Sequence, residues 1–135
     1  MMFEKYDNWN EVKKTTTKNK IHIGIKTREV FWVKLGQNIG DEEYGKGKLF
    51  SRPVLVIRQF TKDLFLGVPL TTTIKDNDYF YSFEFDTKKG KSKNSAMLLQ
   101  LKSFSKKRLT TKIGVVSKED FKNIQDKLVS LIVPT

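Results

Sequence analysis

The chain has no cysteine and a single histidine, His22, in 135 residues. Without cysteine there can be no disulfides or thiolate metal sites. One imidazole alone argues against a zinc centre built from protein ligands. Proline is scarce, at three residues, and no apolar run approaches the ~20 residues that a membrane-spanning helix needs. The opening MMFEKYDNWNEVKK lacks the apolar centre of a secretory signal, so an intracellular, cytoplasmic protein is expected. Negative charge is also short: 15 acidic side chains face 26 lysines and arginines, a formal net charge of +11. A field of that sign favours a polyanionic partner: nucleic acid, an anionic membrane surface or an acidic protein. Solubility alone would also account for it.

The length suits one domain with a real core. Its organising stretch is Arg28 to Thr73, which holds three apolar runs, Val30 to Leu35, Val54 to Phe60 and Leu64 to Leu70. All three have strand composition. In the first, Val30, Trp32 and Lys34 share one face, and Phe31, Val33 and Leu35 share the other. The second and third are apolar on both faces and turn at Thr61-Lys62-Asp63, which predicts a hairpin at the centre of a curved, closed sheet. Pro69 predicts a bulge or an edge. The connection Gly36 to Ser51 holds three acids, four glycines and no apolar periodicity, as functional lids and disordered loops do. Within it, Asp41, Glu42 and Glu43 could supply a general base, a metal-binding cluster or plain solvated charge. It ends on Ser51-Arg52-Pro53, where the proline removes a backbone donor and biases Arg52 toward an extended conformation. An arginine at the mouth of a buried strand, beneath a long loop, is a candidate for chemistry. The plainer reading pairs it with Glu42 or Glu43 at the surface. Thr71, Thr72 and Thr73 leave the third strand together, as strand residues or as hydroxyls for a phosphate.

Phe3, Tyr6, Trp9 and Val12 predict a short helix in an N-terminal extension over 1–27, ended by Thr15 to Thr17. Lys18 to Thr27 reads as a connector, with a short strand at Ile21, Ile23 and Ile25 and a surface His22. Tyr79 to Phe85 is predicted as a strand with an aromatic face. Asp86 to Ser95 (DTKKGKSKNS) reads as a basic turn and Ala96 to Leu101 as a buried strand. Gln100 in that strand is a polar amide that must find partners. Lys102 to Arg108 reads as a basic turn or a single helical turn, and Ile113 to Val116 as a last strand. Ser117 and Asp120 form a capping box ahead of a helix with Phe121, Ile124, Leu128 and Leu131 as its stripe, stopped by Pro134. These elements predict a mainly β (β-rich α+β) fold: a small, SH3-like, partly open barrel with a C-terminal helix. On such a barrel, function lies in the loops.

The pieces EVFWVKL, FSRPVLVI, FLGVPLTT, SAMLLQLKSFSKKRL and GVVSKEDFKNI, in this order, resemble the MazF/PemK (Kid-like) toxins of toxin–antitoxin pairs. The resemblance covers about Arg28 to Ile132 and defines a toxin domain over 28–135. It implies a homodimer that cleaves single-stranded RNA without a metal or other cofactor. The 2′-hydroxyl would be the nucleophile, leaving a 2′,3′-cyclic phosphate and a 5′-hydroxyl. It also implies a cognate antitoxin with an acidic, disordered tail. Arg52 falls where family members carry their catalytic arginine, Thr71 matches their hydroxyl residue, and Thr72 is the neighbour able to share that role. Glu42 falls near where relatives carry an acid. Gln100 and Lys102 match a Gln-x-Arg pattern, with lysine keeping the charge but losing the paired donors. Lys106, Lys107 and Arg108, like Lys88 to Lys93, suit a funnel that tracks an RNA backbone, or are solvated turns. Trp32, Tyr79 and Tyr81 could be core, dimer contacts or stacking platforms. The competing function is a non-catalytic nucleic-acid- or gyrase-binding barrel of the same fold, which would not need the Arg52–Thr71 pair.

Overall fold

The computed structural model describes residues 24–35 and 51–134. Its elements are β1 (Glu29–Lys34), β2 (Ser51–Gln59), β3 (Leu64–Thr71), β4 (Phe80–Thr87), β5 (Gly90–Met97), β6 (Lys102–Ser105), β7 (Leu109–Val115) and α1 (Lys118–Ile132). Single 3-10 turns, Leu98–Gln100 and Lys106–Arg108, flank β6. Every pairing is antiparallel, in the order β2-β1-β7-β4-β5-β3-β6. A further β2–β3 pairing joins the sheet back on itself. The closure is partial, because β3 meets β5 at only Leu70–Ala96 and Thr71–Ser95, and β4 meets β7 at only Asp86–Val115 and Thr87–Gly114. The mainly β, partly closed barrel with a C-terminal helix is therefore as the sequence predicts.

The apolar character of β2 and β3 on both faces has a direct cause, since two cores lie on opposite sides of these strands. Leu55, Ile57, Val68 and Leu70 point into the larger one with Val30, Phe83, Phe85 and the helix residues Phe121, Ile124 and Leu128. Val54, Val56 and Phe65 point into the smaller one with Phe31, Val33, Phe104 and Leu109. The Phe65 and Phe104 rings stack there at 5.6 Å. Trp32, on the first face of β1, lies at the surface opposite Pro53. The register leaves Val68 and Pro69 between β6, which ends its pairing at Gly67, and β5, which begins at Leu70. The proline thus occupies the interval where one strand partner replaces another.

Several expectations need correction. The segment Asp86 to Ser95 is not a turn: Gly90, with φ of 108°, closes a tight connection after Thr87, and β5 runs from there to Met97 along β4. Its lysines disguise it, because Lys91 and Lys93 point outward while Asn94 and Ser95 are buried. The run Ala96 to Leu101 accordingly ends as strand at Met97, and Leu98–Gln100 turns away. Within Lys102 to Arg108, the first four residues pair with β3, and only Lys106–Arg108 is a helical turn. The last strand is also longer than Ile113 to Val116, beginning at Leu109. Of the strand expected at Ile21 to Ile25, Ile25 is buried without strand structure. The N-terminal helix, His22 and the Gly36 to Phe50 loop, with Glu42, lie outside the described residues.

Helix α1 begins as its sequence dictates. The Ser117 hydroxyl accepts from the Asp120 amide at 3.1 Å and donates to the Asp120 carboxylate at 3.1 Å. Asp120 also accepts from the Tyr81 hydroxyl at 2.7 Å, while Asn123 donates to that hydroxyl at 3.0 Å. The helix is thereby clamped to β4. Burial pushes the Tyr81 hydroxyl above its ordinary value of 10.0; the Asn123 amide pulls it back, and Asp120 pushes it up further. The fold thus favours the neutral phenol, so this stabilisation is whole below pH ~10 and is lost as pH rises through the raised value. Tyr81→Phe is expected to cost about 1 kcal/mol at neutral pH. It should also flatten the alkaline fall in melting temperature, which thermal melts across the alkaline range would reveal. Among the described residues, no helix is long and apolar enough to cross a membrane.

Candidate functional site

Arg52 is the second residue of β2, opposite Val33 of β1, and is only 2% exposed. Its Nη1 donates to the Leu70 carbonyl of β3 at 3.3 Å. A bulge decides which threonine faces it. Near the hairpin the register pairs Gln59 with Phe65 and Arg58 with Leu66, but beyond the irregularity between Val56 and Arg58 it pairs Val56 with Gly67 and Val54 with Pro69. Carried on two places, this register sets Arg52 beside Thr71. Without the bulge it would have been Thr72, and the side chains would have alternated to the other face.

The row continues past Thr71. Thr71 pairs with Ser95 of β5, and Ser95 pairs with Ser82 of β4. Directly opposed residues share a face, so Arg52, Thr71, Ser95 and Ser82 cross four adjacent strands in one polar line. The Ser82 hydroxyl donates to the Lys75 carbonyl at 3.0 Å, and the Lys75 amide donates to Ser95 Oγ at 3.1 Å. With the Ser82 proton committed, Ser95 is the donor in the 2.8 Å contact between the two hydroxyls. Ser95 is fully buried and saturated, so its role is to fix the connection leaving Thr71 rather than to meet a ligand. Ser82 and Ser95 escaped the sequence reading because β5 was read as a turn; a strand begun at Gly90 would have set them opposite one another. Thr71 is half-buried, and its Oγ1 accepts from the Thr73 amide at 3.2 Å, leaving Thr72 and Thr73 exposed.

The remaining candidates surround β3 at different points. Gln100 is half-buried in the turn between β5 and β6, and Lys102 begins β6 opposite Gly67, four positions before Thr71 on β3. The Lys102 ammonium sits 5.3 Å from the Phe104 ring centre. Lys106 lies toward the other end of β3, where its amide donates to the Asp63 carbonyl at 2.7 Å. Arg108 turns back toward β1, where its Nη1 donates to the Lys34 carbonyl at 3.1 Å. Its neighbour Leu109 pairs with the same Val33 that faces Arg52. Among the described residues, no three acidic or imidazole side chains gather as a metal site.

The fold is that of a small, partly closed β barrel with a C-terminal helix, and a buried arginine bridges its central hairpin. The sequence model of the "PemK-like, MazF-like toxin of type II toxin-antitoxin system" matches residues 26–132, and the chain belongs to this family. Solved structures agree in fold. An endoribonuclease from a mycobacterial species, determined in complex with its cognate antitoxin, superposes with a TM-score of 0.62 at 15% identity, over 83% of this chain and 99% of that one. MazF from Deinococcus radiodurans gives 0.63 at 16% identity, over 80% and 96%. The Mycobacterium tuberculosis toxin MazF-mt6 gives 0.58 at 12%, over 78% and 96%. No protein of curated function matches the chain by sequence.

Proposed function

We propose that this protein is the toxin of a type II toxin–antitoxin pair and a metal-independent endoribonuclease that cuts single-stranded RNA at short sequences. The observation that carries this reading is the buried Arg52 guanidinium donating to the carbonyl of Leu70, the residue before Thr71, at 3.3 Å across the β2–β3 hairpin. Transesterification at phosphorus needs a base for the 2′-hydroxyl, a proton for the departing 5′-oxygen and donors for the charge on the phosphorane. A guanidinium provides planar, paired donors for that charge. A guanidinium carries five donors and no acceptor, which suits it to hold the phosphate rather than to serve as a base. Thr71 contributes a hydroxyl to the same phosphate, and Thr72 lies beside it. Glu42 is the acid assigned to the 2′-hydroxyl. Gln100 and Lys102 bind the strand along β3, while Lys106, Lys107 and Arg108 attract its backbone from farther along the surface. The protein acts as a homodimer in the cytoplasm, and an acidic antitoxin neutralises it. The mycobacterial endoribonuclease bound to its antitoxin supports both the activity and the partner.

The burial of Arg52 favours a second reading, a barrel of this fold that binds nucleic acid or gyrase without cutting. One experiment separates the two. Long single-stranded RNA incubated with the purified protein in EDTA is expected to show discrete cuts with 5′-hydroxyl and 2′,3′-cyclic phosphate ends. RNA left intact by folded, antitoxin-free protein would overturn the nuclease reading, and gyrase inhibition would be assayed next.

A further inference from the structure

The connection that leaves Thr71 borders, with β4, β5 and α1, an open hollow of about 380 Å³. Lys75 from the connection, Lys93 from β5 and Lys127 from α1 line it, against one carboxylate, Asp76. Among the described residues none of these lysines is in an ion pair. The larger hollow at the β4–β7 seam differs, for its Lys91 and Lys112 are matched by Asp86 and Glu29. Ser82, the last member of the polar line from Arg52, also lines the smaller hollow. The Ser82–Lys75–Ser95 hydrogen bonds hold the connection in place, so the position of Lys75 relative to Thr71 is fixed by the sheet. Lys75 lies four positions beyond Thr71, a reach of at most ~14 Å. A strand whose reacting phosphate sits at Thr71 therefore has its neighbouring phosphates within reach of these amines. Ile74, 44% exposed, and the half-buried Phe80 add apolar surface against which a base can lie.

We propose that this hollow is a subsite for the RNA backbone next to the reacting phosphate, with Lys75 and Lys127 as phosphate contacts. It rests on the ribonuclease reading for the position of that phosphate. The test is fluorescence anisotropy of a labelled, single-stranded 2′-O-methyl RNA, which has no free 2′-hydroxyl to react, titrated with the full chain over a range of salt. Each phosphate contact on a single strand adds about 0.7 to the slope of log affinity against log salt. The double variant Lys75→Ala/Lys127→Ala is expected to bind with a slope shallower by about 1.4. Lys122→Ala, which removes an exposed lysine paired with Asp126 on the same helix, should leave the slope alone. An unchanged slope in the double variant, or no binding by the wild-type chain, would overturn the subsite. The EDTA cleavage assay reads the ribonuclease separately. Cutting with an unaltered slope sinks the subsite alone, and a shallower slope without any cutting sinks the nuclease while leaving the lysines as strand contacts.

Discussion

Arg52→Ala is expected to lower the rate of single-stranded RNA cleavage by roughly 10²- to 10³-fold, the usual cost of losing one preorganised donor to a charged transition state. The loss should fall on kcat rather than KM, because the phosphorane carries charge that the bound substrate does not. Arg52→Lys restores the charge but not the planar pair of donors, so it is expected to recover little of the rate. Arg52→Ala also removes the hydrogen bond to the Leu70 carbonyl within a buried site. Loss of such a charged hydrogen bond costs about 1.5–3 kcal/mol, so cleavage must be compared with thermal melts of each variant. A folded Arg52→Ala protein that cuts at the wild-type rate would remove Arg52 from the site. Its 2% exposure has a kinetic corollary on the ribonuclease reading: the guanidinium would meet a phosphate only once its surroundings open, at a cost in RNA-binding free energy.

The parts of the fold that were legible in the sequence are those whose local chemistry agrees with their tertiary setting. Helix α1 shows this best, with Ser117 and Asp120 at its start and Phe121, Ile124 and Leu128 on the buried face. Strands β2 and β3 were equally plain, because a strand between two cores is apolar on both sides. Strand β5 was hidden because its buried positions include Asn94 and Ser95, satisfied by hydrogen bonds rather than apolar packing. Strand β6 was hidden because Phe104 is its single apolar residue, and its pairing with β3 comes from tertiary contact. At the site, the residue types were readable, since Arg-Pro before a strand and a threonine run after one both stand out. Which threonine faces the arginine was not. That depends on one irregularity between Val56 and Arg58, for which an unbroken run of apolar residues gives no sign.

The other large effect lies away from the site. Gly114→Ala is expected to lower the melting temperature by roughly 10 °C. Gly114 in β7 is paired on one side with Val30 of β1 and on the other with Thr87 of β4. A Cβ at this position would overlap the Asp86 carbonyl oxygen and lie 3.0 Å from the Phe85 ring. The ring could shift, but the carbonyl belongs to β4 itself, so relief requires the strands to part. Only two residue pairs join β4 to β7, so parting them opens the barrel at one of its two short seams. Overpacking of this kind costs ~1–3 kcal/mol, and the backbone clash puts this case at the upper end. At about 4 °C per kcal/mol for a domain of this size, the shift follows. Because Arg52 and Thr71 lie on β2 and β3, neither of which pairs with β7 or β4, cleavage measured well below the melt should keep its wild-type kcat. Calorimetry and RNA cleavage on the same preparation would check both halves. An unshifted melt would mean that the β4–β7 seam contributes nothing to stability and that the barrel is held by its β2–β3 hairpin and two cores. A lost kcat in a folded variant would mean that the seam and the site are coupled through the intervening β1.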